Sequence, residues 1–100
     1  MPRRTMRLPA ASVPRPSRGA AAAMYGLSAI FRQEHDPTNS LAALTLSLLL
    51  DPEFDGARLA LAQQQAELGH VTRARAVLAE VDANSPYAPS ARILEAWILH

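Results

Sequence analysis

One stretch decides the fold: residues 55–88, DGARLALAQQQAELGHVTRARAVLAEVDANSPYA. Within it, residues 58–68 and 71–83 each carry apolar side chains at helical spacing, and only Gly69-His70 separates them. A connection that short makes two helices lie antiparallel, so the unit is a helical hairpin. The unit recurs. At a shift of 34 residues Leu61 meets Leu27, Ala62 meets Ser28 and Ala96, Leu78 meets Leu44, and Pro86 meets Pro52. The run Ala57-Arg58-Leu59 likewise returns as Ala91-Arg92-Ile93.

Toward the N-terminus, residues 20–34 read as a first helix, with Met24, Leu27, Phe31 and Glu34 on one stripe. His35-Asp36-Pro37 ends it and starts the next helix. Asp36 is suited to cap, and Pro37 to the first position, where a missing N–H costs nothing. The second helix, residues 37–50, is apolar nearly all round and therefore expects cover on more than one side. Asp51-Pro52 repeats the cap-and-proline device and opens a third helix that runs to Leu68. Gly69 supplies the left-handed residue that ends it. A fourth helix, residues 71–83, sets Val71, Ala74, Leu78 and Val81 on one stripe, and Asn84-Ser85-Pro86 breaks it. A fifth, residues 88–99, brings Ile93, Leu94, Trp97 and Ile98, with no second arm after it.

Residues 1–18 differ in kind. They hold five arginines, four prolines and no acid, and they lack periodicity. Such a segment buries too little apolar surface to offset the entropy of ordering, so a disordered tail is expected. A targeting segment and a basic arm for acidic partners are the functional alternatives. The whole chain carries a formal charge of +1, so a basic tail sits on an acidic body, which argues against a nucleic-acid binder. There is no cysteine, which excludes disulfides, thiolate metal sites and a cysteine nucleophile. The longest apolar run, residues 41–50, falls short of the ~20 residues of a membrane helix.

Residues 55–88 resemble the tetratricopeptide repeat. Leu61 and Ala62 supply its large-then-small pair, Gly69 its turn, Ala74 and Leu78 its small and bulky residues at the helix crossing, and Pro86 its closing proline. A helix–turn–helix unit of 34 residues is that family's period. Arg58 and Gln65 depart from it where tryptophan and tyrosine are usual, and His35 replaces the turn glycine in the looser repeat 21–54. Residues 89–100 match a first helix alone. The resemblance implies an all-α solenoid of stacked antiparallel hairpins over residues 19–100, with five helices and about two and a half repeats.

It also implies a function: a non-catalytic scaffold that binds a peptide or helix of another protein on a concave face. Carried over by position, that face is lined by Tyr25, Ala29 and Arg32, by Leu59, Gln63 and Ala66, and by Ile93 and Trp97. The carboxylate clamp of some family members has no counterpart at Tyr25, Ala29, Gln63, Ser90 and Leu94. Trp97 has two readings, a binding anchor or a ring packed on the fourth helix or on a helix that follows. Tyr25 has the same two.

No enzyme, cofactor or metal is expected. His35 and His70 sit in turns, His100 is terminal, and none shares ligand spacing with another. Asp51, Glu53 and Asp55 read as charges complementing a helix start. Arrays of this kind need about three repeats to close a core, so marginal stability, self-association through the fifth helix, or origin in a longer envelope, secretion or enzyme-associated array is expected. The expected location is cytoplasmic, or envelope or organellar if residues 1–18 are a targeting segment.

Overall fold

The computed structural model describes residues 15–98, and among them every regular element is a helix. The five are α1 (Arg15–Gln33), α2 (Pro37–Leu50), α3 (Asp55–Glu67), α4 (Val71–Leu78) and α5 (Ala88–Ile98). Helix α1 packs on α2 and α3 on α4 as antiparallel hairpins; α2 also touches α3, and α5 rests on α3 and α4. No helix among the described residues is long and apolar enough to cross a membrane.

The first hairpin is held by small polar residues. Ser40 and Ser47, two turns apart on α2, are buried and donate their hydroxyls to α1: Ser40 to the Ser28 carbonyl at 3.0 Å and Ser47 to the Ala21 carbonyl at 2.8 Å. A side chain as short as serine lets the two backbones approach, and its hydroxyl uses the second lone pair of a carbonyl already bonded within its helix. Helix α2 is covered on two sides, by α1 and by α3, as its apolar composition led one to expect; it buries Ser40, Ala43, Leu44 and Ser47 and still leaves Leu46 and Leu49 exposed.

The second hairpin is apolar where the first is polar. Ala62, Ala74, Leu78, Val81 and Ala91 form one buried cluster shared by α3, α4 and α5. A second cluster, Leu44, Ala57 and Leu61, joins α2 to α3 with Phe54 against it. Alanines at the crossings bring the helices close, and Leu44 and Leu78 fill the space that remains.

Three boundaries differ from those expected by more than a residue. Helix α1 starts at Arg15, so residues 15–18 of the expected disordered tail are helical; residues 1–14 lie outside those described. Asp51 does not cap α3. Its N–H bonds to the Ser47 carbonyl at the end of α2, its carboxylate accepts the Glu53 N–H in a tight turn, and α3 begins at Asp55. Helix α4 stops at Leu78 rather than Ala83, because Glu80 and Val81 donate back three residues, to Val77 and Leu78, and the chain tightens out of the helix. Val81 stays buried despite this, whereas Val71, placed on the same stripe, is exposed. The last helix is described as far as Ile98, so the expected end at Leu99 lies outside the described residues.

Candidate functional site

Of the eight residues expected on the concave face, four come together in one groove and Ala66 lines its continuation. Leu59 and Gln63 on α3 face Ile93 and Trp97 on α5 across an open groove of about 250 Å3, with Ser90 and Leu94 completing its wall. The spacing explains it: residues four apart on each helix fall on one face, and α5 lies against α3. Trp97 is 75% exposed and Ile93 62%, so neither ring nor branch is spent on α4. A second groove continues the first. It shares Gln63, Leu94 and Trp97 and adds Ala66, Glu67, Val71 and Ile98.

The other three, Tyr25, Ala29 and Arg32, stand apart on α1. Tyr25 tilts against Phe54, ring centroids 5.2 Å apart, and keeps a partly exposed edge. Arg32 reaches across to α3 and pairs with Glu67 at 2.7 Å. Glu67 therefore links the α1 side of the molecule to the groove between α3 and α5.

The glutamine triplet Gln63-Gln64-Gln65 looks uniform in sequence and has three fates. Gln63 faces the groove, Gln64 is buried against Ser40, and Gln65 bonds the His70 ring at 2.8 Å. Only the α3 packing separates them. Leu94, Val71, Ile98 and Glu67 also line the groove and were not among the candidates. The signal for Leu94 and Ile98 was present in the apolar stripe of the fifth helix, but which side of it α3 would cover was not; Val71 and Glu67, on α4 and α3, gave none.

A larger concavity, about 610 Å3, lies elsewhere, between the turn before α3 and the turn before α5. Asp51, Glu53, Asp55, Glu80 and Asp82 gather there around Arg58. The carboxylates are largely engaged in holding turns. Asp55 pairs with Arg58, which also bonds the Pro52 carbonyl, and Asp51 and Asp82 accept backbone N–H groups two residues on. Among the described residues no three of His, Cys, Asp and Glu are grouped so as to hold a metal ion. His35 and His70 lie in separate turns.

Comparison with known proteins returns no match: no family model, no curated protein and no solved structure matches this chain. Among the described residues, the fold is all-helical: two antiparallel hairpins and a further helix.

Proposed function

We propose that the chain is a non-catalytic scaffold for protein–protein interaction, its hairpins piled as a tetratricopeptide-like solenoid and its partner seated in the groove between α3 and α5. The observation that carries this is the exposure of Ile93 and Trp97 at the edge of a groove also lined by Leu59 and Gln63. Large apolar groups on a concave surface lose water when a partner covers them, and tryptophan is enriched among residues that dominate binding energy. The groove is lined by four apolar side chains, one amide and one hydroxyl, with no charge, which suits an extended segment or the apolar face of a helix. The solenoid rests on the 34-residue recurrence, which reaches from the residue pattern into the turns.

The test is affinity capture with the full chain, followed by affinity measurement on the purified partner for wild type, Trp97→Ala and Gln63→Ala. At least a tenfold loss is expected for Trp97→Ala. Equal affinity in both variants would place binding off this face. The same exposure on α5 supports a second reading, self-association through that helix. Sedimentation equilibrium separates the two, since a monomer at micromolar concentration leaves the groove to another protein.

A further inference from the structure

A buried acceptor lies beside the groove and has no partner. Gln64 is only 5% exposed. Its Nε2 donates to Ser40 Oγ at 2.7 Å, and Ser40 gives its own single proton to the Ser28 carbonyl. Ser40 Oγ must therefore accept, which fixes the amide with nitrogen toward Ser40 and oxygen away from it. Gln64 Oε1 is left without a hydrogen-bond partner. Orphaned buried acceptors are rare in folded proteins, and each asks for a donor.

Gln64 lines a recess of about 470 Å3 at the junction of α1, α2 and α3; the charged and titratable residues around it are Arg32, His35, Asp36 and Glu67, with Pro37 and Leu68 as apolar wall. Glu67 stands one turn beyond Gln64 on the same face of α3. In a formal count with His35 neutral, the two carboxylates outnumber the one guanidinium, so the recess favours a cation. Arg32 and Glu67 form its one close ion pair, with side chains 42% and 53% exposed. A pair that open to solvent contributes little and exchanges readily. Pro37 and Leu68 offer apolar wall for a methylene stem, the part of a long basic side chain that packs while its head stays polar.

We propose that this recess receives a basic side chain of a bound partner segment. Its N–H group donates to Gln64 Oε1, and its charge takes Glu67 in exchange for Arg32. The recess meets the α3–α5 groove at Glu67, which lines both. On the proposed function, from which only the carrier of the cation is inferred, a segment anchored by apolar contacts at Trp97 carries its lysine or arginine here.

The experiment uses the full 15N-labelled chain and titrates n-butylguanidinium chloride, n-butylammonium chloride and, as an ionic-strength control, sodium chloride. One or both organic cations should shift the Gln64 side-chain amide and the Glu67 and Leu68 backbone signals saturably, beyond the sodium chloride control. Whichever cation binds more tightly tells arginine from lysine. Gln64→Met, which keeps the shape and removes the acceptor, should weaken that binding at least tenfold, and Glu67→Gln should also weaken it. Trp97→Ala should leave it unchanged, and helical circular dichroism reports whether each variant folds. Absence of a saturable shift, or equal binding in folded Gln64→Met, overturns the inference. Should cation binding be absent while Trp97-dependent partner capture persists, the inference falls and the scaffold function stands. Cation binding that follows Gln64 with no partner captured leaves the reverse.

Discussion

His35 and Gly69, 34 residues apart, both hold left-handed backbone, with φ of 58° and 86°, and each closes the first helix of its hairpin in the same way. After His35 the Asp36 N–H reaches back to the Phe31 carbonyl at 2.9 Å, and after Gly69 the His70 N–H reaches back to Gln65 at 2.8 Å. Both are six-to-one closures around a left-handed residue. The prolines keep the same offset. Asp51 Oδ1 accepts the Glu53 N–H across Pro52, and Ser85 Oγ accepts the Tyr87 N–H across Pro86.

Only one of the two left-handed positions has the residue that suits it. A side chain at positive φ costs about 1–2 kcal/mol, and glycine loses roughly half to all of 1 kcal/mol in backbone entropy. His35→Gly should therefore stabilise the chain by about 0.5–1 kcal/mol. Gly69→Ala should destabilise it by about 1–2 kcal/mol, although open space surrounds the site. Urea unfolding of both variants measures this, and a destabilised His35→Gly would contradict the account of the turn.

Leu78 is fully buried in the cluster joining α3, α4 and α5, and Leu78→Ala should cost about 2–5 kcal/mol. Leu49, in the most apolar-looking run of the chain, is 72% exposed. Leu49→Ala should change stability by no more than about 0.5 kcal/mol. The contrast, read from denaturation midpoints, separates burial from mere hydrophobicity; a loss below about 1 kcal/mol at Leu78 would remove it from the core.

Ser40 carries two buried hydrogen bonds, one given to Ser28 and one taken from Gln64. Ser40→Ala leaves the Gln64 amide nitrogen unsatisfied and should cost about 1–3 kcal/mol. Ser47, which serves one carbonyl of α1, should cost about 1 kcal/mol as Ser47→Ala. If the order came out reversed, Ser40 would not be the junction of α1, α2 and α3.

Trp97→Ala should leave unfolding within about 0.5 kcal/mol of wild type, since three-quarters of the side chain faces solvent. Partner affinity should fall by about 2 kcal/mol or more. A large stability loss with unchanged binding would make the ring structural.

Much of this was legible in the chain itself. The Asp36 cap, with Pro37 after it, opens α2 as its residue types require, and the side chain accepts the Asn39 N–H. Gly69 ends α3 for the steric reason that glycine alone adopts positive φ freely. Leu59, Gln63, Ile93 and Trp97 were named from the repeat resemblance, by position, and the structure lines one groove with them because each pair is four residues apart on its helix. Asp51 misled because the Asp-Pro pair suits a turn as well as a helix start, and the local sequence does not choose between them.

By itself, the sequence determined that the described chain forms helices, how many, where glycine and proline break them, and which small residues recur at the crossings. Backbone propensity and hydrogen bonding act over a few residues, so this information is local. Only the tertiary structure decided that α2 would bury its serines and expose Leu46 and Leu49, and that three adjacent glutamines would meet a groove, a buried hydroxyl and a histidine. Those outcomes depend on how closely one helix can approach another, and that distance is set by side chains far away along the chain.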